Sequence, residues 1–180
     1  MTNTGGPLTG IQVVDLTTAE SAPVAAVILA DQGADVIKIE PPGGDFMRAA
    51  GPKTGMNPTF VACNRGKRSI VLDLKQQRAA EIMWRVIESA DVLIQNFRPG
   101  AIERLGFGAS TVAARNPKLV YLSISGVGES GPYSGKRVYD PVIQALGGLA
   151  DIQEDPQTGR PRMVRTLIAD KTTADYAAQA

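Results

Sequence analysis

Short apolar segments rich in β-branched residues alternate with helix-like segments along most of the chain, and this alternation limits the possible folds more than any other feature. Residues 11–16 form the first strand-like segment. A predicted helix follows from Ser21 to the glycine at position 33, and residues 36–39 form a second strand. A strand, a helix and a second strand in this order make a βαβ unit, which joins parallel strands.

The same alternation continues through the rest of the chain. Further strands are predicted at residues 69–73, 92–94, 119–123 and 164–168. Further helices are predicted at residues 76–90, 102–106, 141–149 and 170–180. The 180 residues fit one ordinary domain. The sequence therefore predicts an α/β fold, an open, doubly wound, Rossmann-like sheet of mostly parallel strands with helices on both faces.

The residue composition excludes several kinds of catalytic site. The sequence contains no histidine, so a Ser-His-Asp triad, a histidine general base and a histidine metal site are impossible within this chain. Cys63 is the only cysteine, which excludes an internal disulfide and a cysteine cluster for a metal, and we expect it to be a small buried residue. A carboxylate is ionised at neutral pH without help. Aspartate and glutamate are therefore the candidate nucleophiles.

Charge and hydropathy favour a protein that acts on small molecules in water. The net charge is +1, which argues against binding to nucleic acid or to a membrane surface. The longest apolar segment, residues 22–30, is about half of the ~20 residues that a membrane-spanning helix needs. Residues 1–10 have neither the basic nor the apolar region of a secretory signal, so we expect a cytoplasmic protein.

Asp170 is the most informative acidic residue. It lies where a predicted strand meets a predicted helix, and the helix dipole there favours the ionised carboxylate by about 0.3–1 kcal/mol, which lowers its pKa. The pattern fits a plain N-cap, and it also fits a charged carboxylate open to solvent at the edge of the sheet.

A glycine-rich motif and a set of basic residues are two features that could belong to a binding site for an anionic ligand. Residues 126–131 match the spacing of a dinucleotide fingerprint, but Pro132 and the residues after it do not begin a helix. We therefore expect a glycine loop beside a ligand rather than a nicotinamide site. Basic residues also recur near strand ends, where they fit either a phosphate-binding cluster or a solvated rim: Arg65, Lys67, Arg68, Lys75, Arg98, Arg104, Lys136 and Arg137.

Five segments in a fixed order carry a family resemblance. They are residues 33–40 (GADVIKIE), 64–74 (NRGKRSIVLDL), 96–100 (NFRPG), 125–133 and 139–148 (YDPVIQALGG). Together they resemble the class III CoA-transferases, the family of formyl-CoA transferase and carnitine CoA-transferase. The resemblance extends over nearly the whole chain.

The resemblance implies a mechanism and a set of site residues. In this family an aspartate attacks an acyl-CoA to form a mixed anhydride and then an aspartyl-CoA thioester, and CoA passes between two carboxylic acids. By resemblance Asp170 is the nucleophile, with no tightly bound cofactor and no metal. The CoA contacts fall on Leu72, Lys75, Asn96, Phe97, Arg98, Arg104, Arg137 and Tyr139. Glu20 adds a carboxylate near the presumed CoA loop, where it either alters substrate choice or lies outside the site.

The resemblance also implies what surrounds this segment in a longer protein. Residues 1–180 correspond to the N-terminal portion of the large CoA-binding domain, without the small domain and the C-terminal return segment. The last helix reaches Ala180 with no stop signal, which predicts a cut end. Besides acyl-CoA and a carboxylic acid, the expected partner is a second copy, as in the homodimers of the family, or a second fragment.

Three functions stay open at this point. The first is CoA transfer, and the second is CoA binding or subunit pairing without turnover. The third is the activity of the related 2-methylacyl-CoA racemases, which use a histidine-aspartate pair where this chain has Tyr139 and Asp140. The absence of histidine disfavours the racemase reaction.

Overall fold

A sheet of five parallel strands forms the centre of the computed structural model, which describes residues 5–51 and 56–180. The strands are β1 (Gln12–Leu16), β2 (Asp35–Glu40), β3 (Arg68–Val71), β4 (Val92–Gln95) and β5 (Val120–Ser123). Their order across the sheet is β3-β2-β1-β4-β5, and each neighbouring pair is parallel. The predicted open, parallel, doubly wound α/β fold is confirmed.

Seven α-helices connect and cover the strands in the described part of the chain. They are α1 (Ser21–Asp31), α2 (Pro58–Asn64), α3 (Gln77–Ser89), α4 (Ala101–Arg104), α5 (Ala109–Arg115), α6 (Asp140–Leu146) and α7 (Ile168–Gln179). A short 3-10 helix covers Phe46–Arg48. None of the helices built from the described residues has the length and apolar character needed to cross a membrane.

Two of these helices, α2 and α5, were not predicted from the sequence. The signal for α2 was nonetheless present at its start. The Asn57 side chain accepts a hydrogen bond from the Thr59 backbone N–H at 3.0 Å, and Pro58 occupies the first turn. An N-cap asparagine followed by proline is a typical helix start.

The two faces of the sheet carry separate hydrophobic clusters because side chains alternate along each strand. On one face Val14, Leu16 and Leu93 pack against the apolar stripe of α3, which includes Met83 and Ile87. On the other face, strand residues pack against the alanine-rich side of α1. Burying one side chain such as Met83 or Ile87 contributes roughly 1.5–3 kcal/mol to the stability of the fold. The stability of the sheet therefore depends on the helices packed on both of its faces.

The predicted sixth strand at residues 164–168 is wrong. The Val164 backbone N–H donates to the Oε1 atom of Gln144 at 2.8 Å, and α7 already begins at Ile168. A side chain of α6 therefore satisfies this part of the backbone, so it does not form a ladder with β5. In the parts of the chain described by the structure, β5 is the last strand at that edge.

A buried glutamate paired with a partly exposed arginine fixes the end of β2. Glu40 is 1% exposed and accepts hydrogen bonds from the Arg48 side chain, from the Ser69 hydroxyl at 2.5 Å and from the Asp45 backbone N–H at 2.8 Å. The hydrogen bond from Arg48 is the largest cause that lowers the pKa of Glu40 to about 2, although burial acts in the opposite direction. The ionised form of Glu40 is thus part of the folded state.

Candidate active site

A cleft of about 530 Å³ lies at the carboxyl ends of the central strands. The strand order reverses between β1 and β4, and open α/β sheets bind ligands at such a switch point. The lining residues come from the chain segments 16–21, 96–99, 124–127, 134–143 and 169–173, together with Phe46.

Asp170 lines this cleft from the first turn of α7. The prediction that it is the N-cap is wrong, because α7 begins at Ile168 and its N-cap is Leu167. The Asp170 backbone N–H donates to the Oδ2 atom of Asp140 at 3.0 Å, and the Oδ1 atom of Asp140 accepts from Gln144 at 2.5 Å. Asp140 is 2% exposed, so a buried carboxylate on α6 holds the start of α7. The carboxyl group of Asp170 is thereby left without a capping role.

The pKa of Asp170 is raised, not lowered as the sequence predicted. Burial is the largest cause, the nearby Asp140 carboxylate is the second, and a hydrogen bond from the Ser21 side chain acts in the opposite direction. The expected contribution of the helix dipole is therefore outweighed by desolvation and by a like charge. A less hydrated carboxylate is held in the cleft, not one freely exposed to solvent.

Glu20 lies beside the cleft, between two residues that line it. Its neighbours Ala19 and Ser21 are lining residues, while Glu20 precedes the first turn of α1. Burial raises the pKa of Glu20, and the carboxylates of Asp170 and Asp140 raise it further. Across the described ranges, no group of three or more cysteine, aspartate or glutamate side chains could hold a metal ion.

Five of the predicted CoA contacts line the same cleft as Asp170. They are Asn96, Phe97 and Arg98, which follow β4, and Arg137 and Tyr139, which precede α6. The Tyr139 side chain is 71% exposed, and Phe97 packs partly against the core. The structure thus brings together six of the nine predicted site residues. Their roles in binding stay predictions.

The other three predicted contacts lie outside the cleft. Leu72 is 7% exposed in the core below α3, and its backbone N–H donates to the Glu40 carbonyl at 2.9 Å. Lys75 is exposed in the turn after β3. The exposed Arg104 side chain lies over Gly100, where a Cβ atom would be 3.0 Å from Nη1. Gly100 has φ 78°, so both this approach and the backbone conformation favour glycine.

The basic residues near strand ends divide into a cleft group and a structural group. Lys136 joins Arg98 and Arg137 in the cleft, with its ammonium 4.0 Å from the centroid of the Tyr133 ring. Lys67 is instead buried. Arg65 and Arg68 form surface ion pairs with Asp31 and Asp35, and Arg68 lies at the amino end of β3. Three of these cations therefore face a possible anionic ligand.

The glycine loop contributes to the cleft without forming a dinucleotide site. Gly126 and Val127 line the cleft, and no helix begins between residue 126 and α6. The prediction that no helix begins after Pro132 is confirmed. A Cβ atom on Gly126 would lie 1.9 Å from Cγ2 of Val138, so glycine is needed for the loop to approach the segment before α6.

One residue of this site was missed by the sequence analysis as a support for Asp170. The Asp140 carboxylate accepts a hydrogen bond from the Asp170 backbone N–H. The Asp140-Pro141 pair is a typical helix start and so gave a local signal for α6. Nothing local showed that the Asp140 carboxylate would reach a second helix.

Comparisons with known proteins place this architecture in a family. The sequence model described as CoA-transferase family III matches residues 8–180. The chain is 40% identical over 189 residues to a succinate–glutarate CoA-transferase from Agrobacterium fabrum, covering 100% of this chain and 47% of that protein. It is 42% identical over 167 residues to an acetyl-CoA:oxalate CoA-transferase from Acetobacter aceti, covering 92% and 43%.

A solved structure shares the fold closely. A CAIB/BAIF family protein from Brucella suis superposes with a TM-score of 0.92 at 38% identity, covering 97% of this chain and 48% of that one. The chain thus spans about half the length of the relatives that it matches. Both the sequence match and the superposition extend over the cleft and its lining segments. The chain belongs to CoA-transferase family III.

Proposed function

We propose that this chain supplies the CoA-binding cleft and the nucleophile of an enzyme that transfers CoA from an acyl-CoA to a carboxylic acid. One observation carries the proposal. Asp170 lines the same cleft as five residues that the family resemblance assigns to CoA binding. That cleft lies at the switch point of the sheet, where ligands of open α/β folds bind.

In each step of the proposed reaction, a carboxylate and a thiolate replace one another at a carbonyl carbon. That carbon belongs either to the acyl group or to Asp170. A carboxylate oxygen of Asp170 attacks the thioester carbonyl, the C–O bond of a mixed anhydride forms, and the C–S bond breaks to release the CoA thiolate. The thiolate then attacks the aspartyl carbonyl and displaces the first carboxylic acid as its anion. The acceptor carboxylate then attacks the carbonyl of the aspartyl thioester, the C–S bond breaks, and a second mixed anhydride forms. The thiolate attacks the acceptor carbonyl of this anhydride, which gives the new acyl-CoA and releases the Asp170 carboxylate.

The surroundings of Asp170 fit this chemistry. No step needs a proton to be removed from the nucleophile, which agrees with a chain that has no histidine. Burial raises the pKa of Asp170 and removes part of its hydration, which favours attack by the carboxylate. Arg98, Lys136 and Arg137 offer cations to the phosphates of CoA along the same cleft.

The substrates of the relatives suggest the class of acceptor. The two relatives are named for succinate, glutarate and oxalate, all small dicarboxylic acids. We therefore propose a small carboxylic acid as acceptor here. A racemase reaction is disfavoured, because Tyr139 stands where the racemases have an imidazole.

A second candidate function is CoA binding without turnover. It is favoured by one observation, that Arg98, Lys136 and Arg137 line the cleft and could hold the phosphates of CoA whether or not Asp170 reacts. Exposed apolar side chains around α6 and α7, including Leu146 at 54% and Tyr176 at 73%, support pairing with a second copy or a second polypeptide. The cytoplasmic location stays a prediction.

Trapping the acyl enzyme with hydroxylamine tests the first proposal. The chain is incubated with succinyl-CoA or acetyl-CoA and hydroxylamine, and peptide mass spectrometry locates any aspartyl hydroxamate. We expect the hydroxamate at Asp170, its loss in Asp170→Asn, and its retention in Asp175→Asn, which changes an exposed aspartate of the same helix.

The outcomes separate the two candidate functions. CoA binding that weakens with added salt and with Arg98→Ala, but without a hydroxamate, supports the binding function. A chain that binds neither CoA nor acyl-CoA contradicts both proposals.

A further inference from the structure

We infer that Phe46 is a binding residue for the pantetheine chain of CoA, the uncharged part of that molecule. The inference rests on the proposed function, because it takes the cleft as the CoA site. Phe46 lines this cleft together with Asp170. Its side chain is 52% exposed, although the residue before it, Asp45, is 1% exposed. The aromatic ring is therefore open to a ligand while its backbone is anchored in the fold.

Hydrogen bonds hold the backbone on both sides of Phe46. The Asp45 backbone N–H donates to Oε2 of Glu40 at 2.8 Å, and the Oδ1 atom of Asp45 accepts from the Met47 N–H at 2.9 Å. The Met47 carbonyl accepts from the Nδ2 atom of Asn57 at 2.8 Å. An aromatic side chain on a backbone fixed in this way loses little conformational freedom when it binds a ligand.

Lys38 joins the 3-10 helix to the turn after β1, which forms a neighbouring part of the cleft. The Lys38 side chain is 2% exposed, and its Nζ atom lies 3.0 Å from Oδ2 of Asp45. The same Nζ atom donates to the Thr17 carbonyl at 2.7 Å. The residues on either side of Thr17, Leu16 and Thr18, line the cleft. One buried ion pair therefore fixes the segment of the aromatic ring against the wall of the cleft.

The aromatic ring and the cations of the cleft come from segments that leave different strands. The 3-10 helix follows β2, whereas Arg98 follows β4, and Lys136 and Arg137 belong to the loop after β5. Strands β2 and β4 are the two neighbours of β1, on its opposite sides. In the ranges 5–51 and 56–180, the segment between β2 and β3 contributes Phe46 to the cleft and no cation. The phosphates of CoA are thus expected at the cations, and its uncharged chain at Phe46.

The pantetheine chain suits this aromatic ring better than the acyl group does. Pantetheine consists of methyl, methylene, hydroxyl and amide groups and has no charge. The acyl groups suggested by the relatives derive from small dicarboxylic acids, which keep one negative charge in the thioester. The face of an aromatic ring is electrically negative, so it gains by covering apolar groups and not by approaching an anion.

Binding of two ligands to the full chain tests the inference. The ligands are CoA and adenosine 3′,5′-bisphosphate, a nucleotide fragment of CoA that lacks the pantetheine chain, and isothermal titration calorimetry gives each Kd. We expect Phe46→Ala to weaken CoA binding about tenfold and to leave the binding of the nucleotide unchanged. Phe46→Leu keeps an apolar side chain, so we expect it to retain most of the affinity for CoA.

Two further variants serve as controls. Ile152→Ala removes an apolar side chain that is 78% exposed and is not among the residues that line the cleft, so both affinities should stay unchanged. Arg98→Ala removes a cation of the cleft, so it should weaken the binding of both ligands. Urea midpoints of all variants show whether each one is folded.

The inference is overturned if Phe46→Ala weakens the binding of neither ligand. It is also overturned if this variant weakens both equally, because the ring would then contact the nucleotide. A chain that binds neither ligand contradicts both the inference and the proposed function. A chain that shows the expected dependence on Phe46 but forms no hydroxamate contradicts the transfer reaction and leaves the pantetheine contact intact.

Discussion

The fold does not need the carboxyl group of Asp170 for its stability. Leu167 and not Asp170 is the N-cap of α7, and Asp140 satisfies the Asp170 backbone N–H. Burial and the neighbouring carboxylate both disfavour its ionised form. An ionised group held at a cost in stability is typical of functional sites.

Replacing this carboxylate is therefore expected to stabilise the fold. Asp170→Asn keeps the size and a hydrogen-bond acceptor for Ser21 while removing the buried charge. We expect the free energy of unfolding in urea at pH 7 to rise by about 0.5–1 kcal/mol. Asp175→Asn, on the exposed part of the same helix, is expected to change it by less than about 0.5 kcal/mol. A loss of stability in Asp170→Asn would show that the carboxylate is a structural group.

Sequence could identify some site residues and not others for a physical reason. Arg98 and Tyr139 stand within short segments whose order carries the family resemblance, and the role of Asp170 followed from the same resemblance. The supporting role of Asp140 depends on which elements meet in space, since it bonds to a residue 30 positions away along the chain. No local pattern reports such a contact.

At the scale of elements, tertiary contacts overrode local propensity in one segment. Residues 164–168 are rich in β-branched and apolar residues, which predicted a strand. The Gln144 side chain instead accepts a hydrogen bond from the Val164 N–H, and the Asp140 side chain accepts one from the Asp170 N–H. Two side chains of α6 therefore determine where α7 begins. The first βαβ unit has its own hydrophobic pattern and was predicted to within two residues.

The glycine loop offers a test of how closely two elements must approach. In Gly126→Ala the added Cβ would lie 1.9 Å from Val138, whose β-branched side chain has little freedom to move away. We expect a loss of about 1–3 kcal/mol in the free energy of unfolding and weaker CoA binding, because Val138 also lines the cleft.

Gly135→Ala is the control for this substitution. Nothing lies within 4 Å of a Cβ atom placed there, so stability and CoA affinity should both be retained. Equal effects of the two substitutions would contradict the close-packing explanation.

At the scale of the whole molecule, the sequence predicted the parallel class of the sheet and did not predict the order of its strands. The connections from β1 to β2 and from β2 to β3 extend the sheet in one direction, and β4 and β5 extend it in the other. Apolar periodicity predicted the strands and most helices. The volume of the cleft could not be predicted, because it depends on the conformations of five separate segments.

Acid stability should reveal the opposing pKa shifts of the buried carboxyl groups. The pKa of Glu40 is about 2 in the folded chain, against a reference value of 4.5. Ionised Glu40 therefore contributes fully to the free energy of unfolding above pH 4.5, and this contribution is lost as the pH falls toward 2. The pKa values of Glu20 and Asp170 are raised, so protonating these groups relieves a cost and acts in the opposite direction.

We therefore expect urea midpoints to rise modestly as the pH is lowered toward 4.5, because Glu20 is protonated more readily in the folded state, and to fall steeply between pH 4.5 and 2. Glu40→Gln should lose about 1–3 kcal/mol at pH 7, because it weakens the hydrogen bonds that the buried carboxylate accepts from Arg48, Ser69 and the Asp45 N–H, and it should flatten the acid limb. The exposed Glu154→Gln serves as control. An acid limb that persists in Glu40→Gln would assign the pH dependence to other groups.

The residues that line the cleft come from segments spread along nearly the whole chain, between residues 16 and 173. Attempts to crop the polypeptide to a minimal ligand-binding unit will consequently fail from either direction. Trimming the chain up to α1 removes the lining residues Leu16, Thr18 and Ala19, and trimming α7 removes Asp170 itself. Protein engineers wishing to transplant this pocket must graft the entire sheet with it.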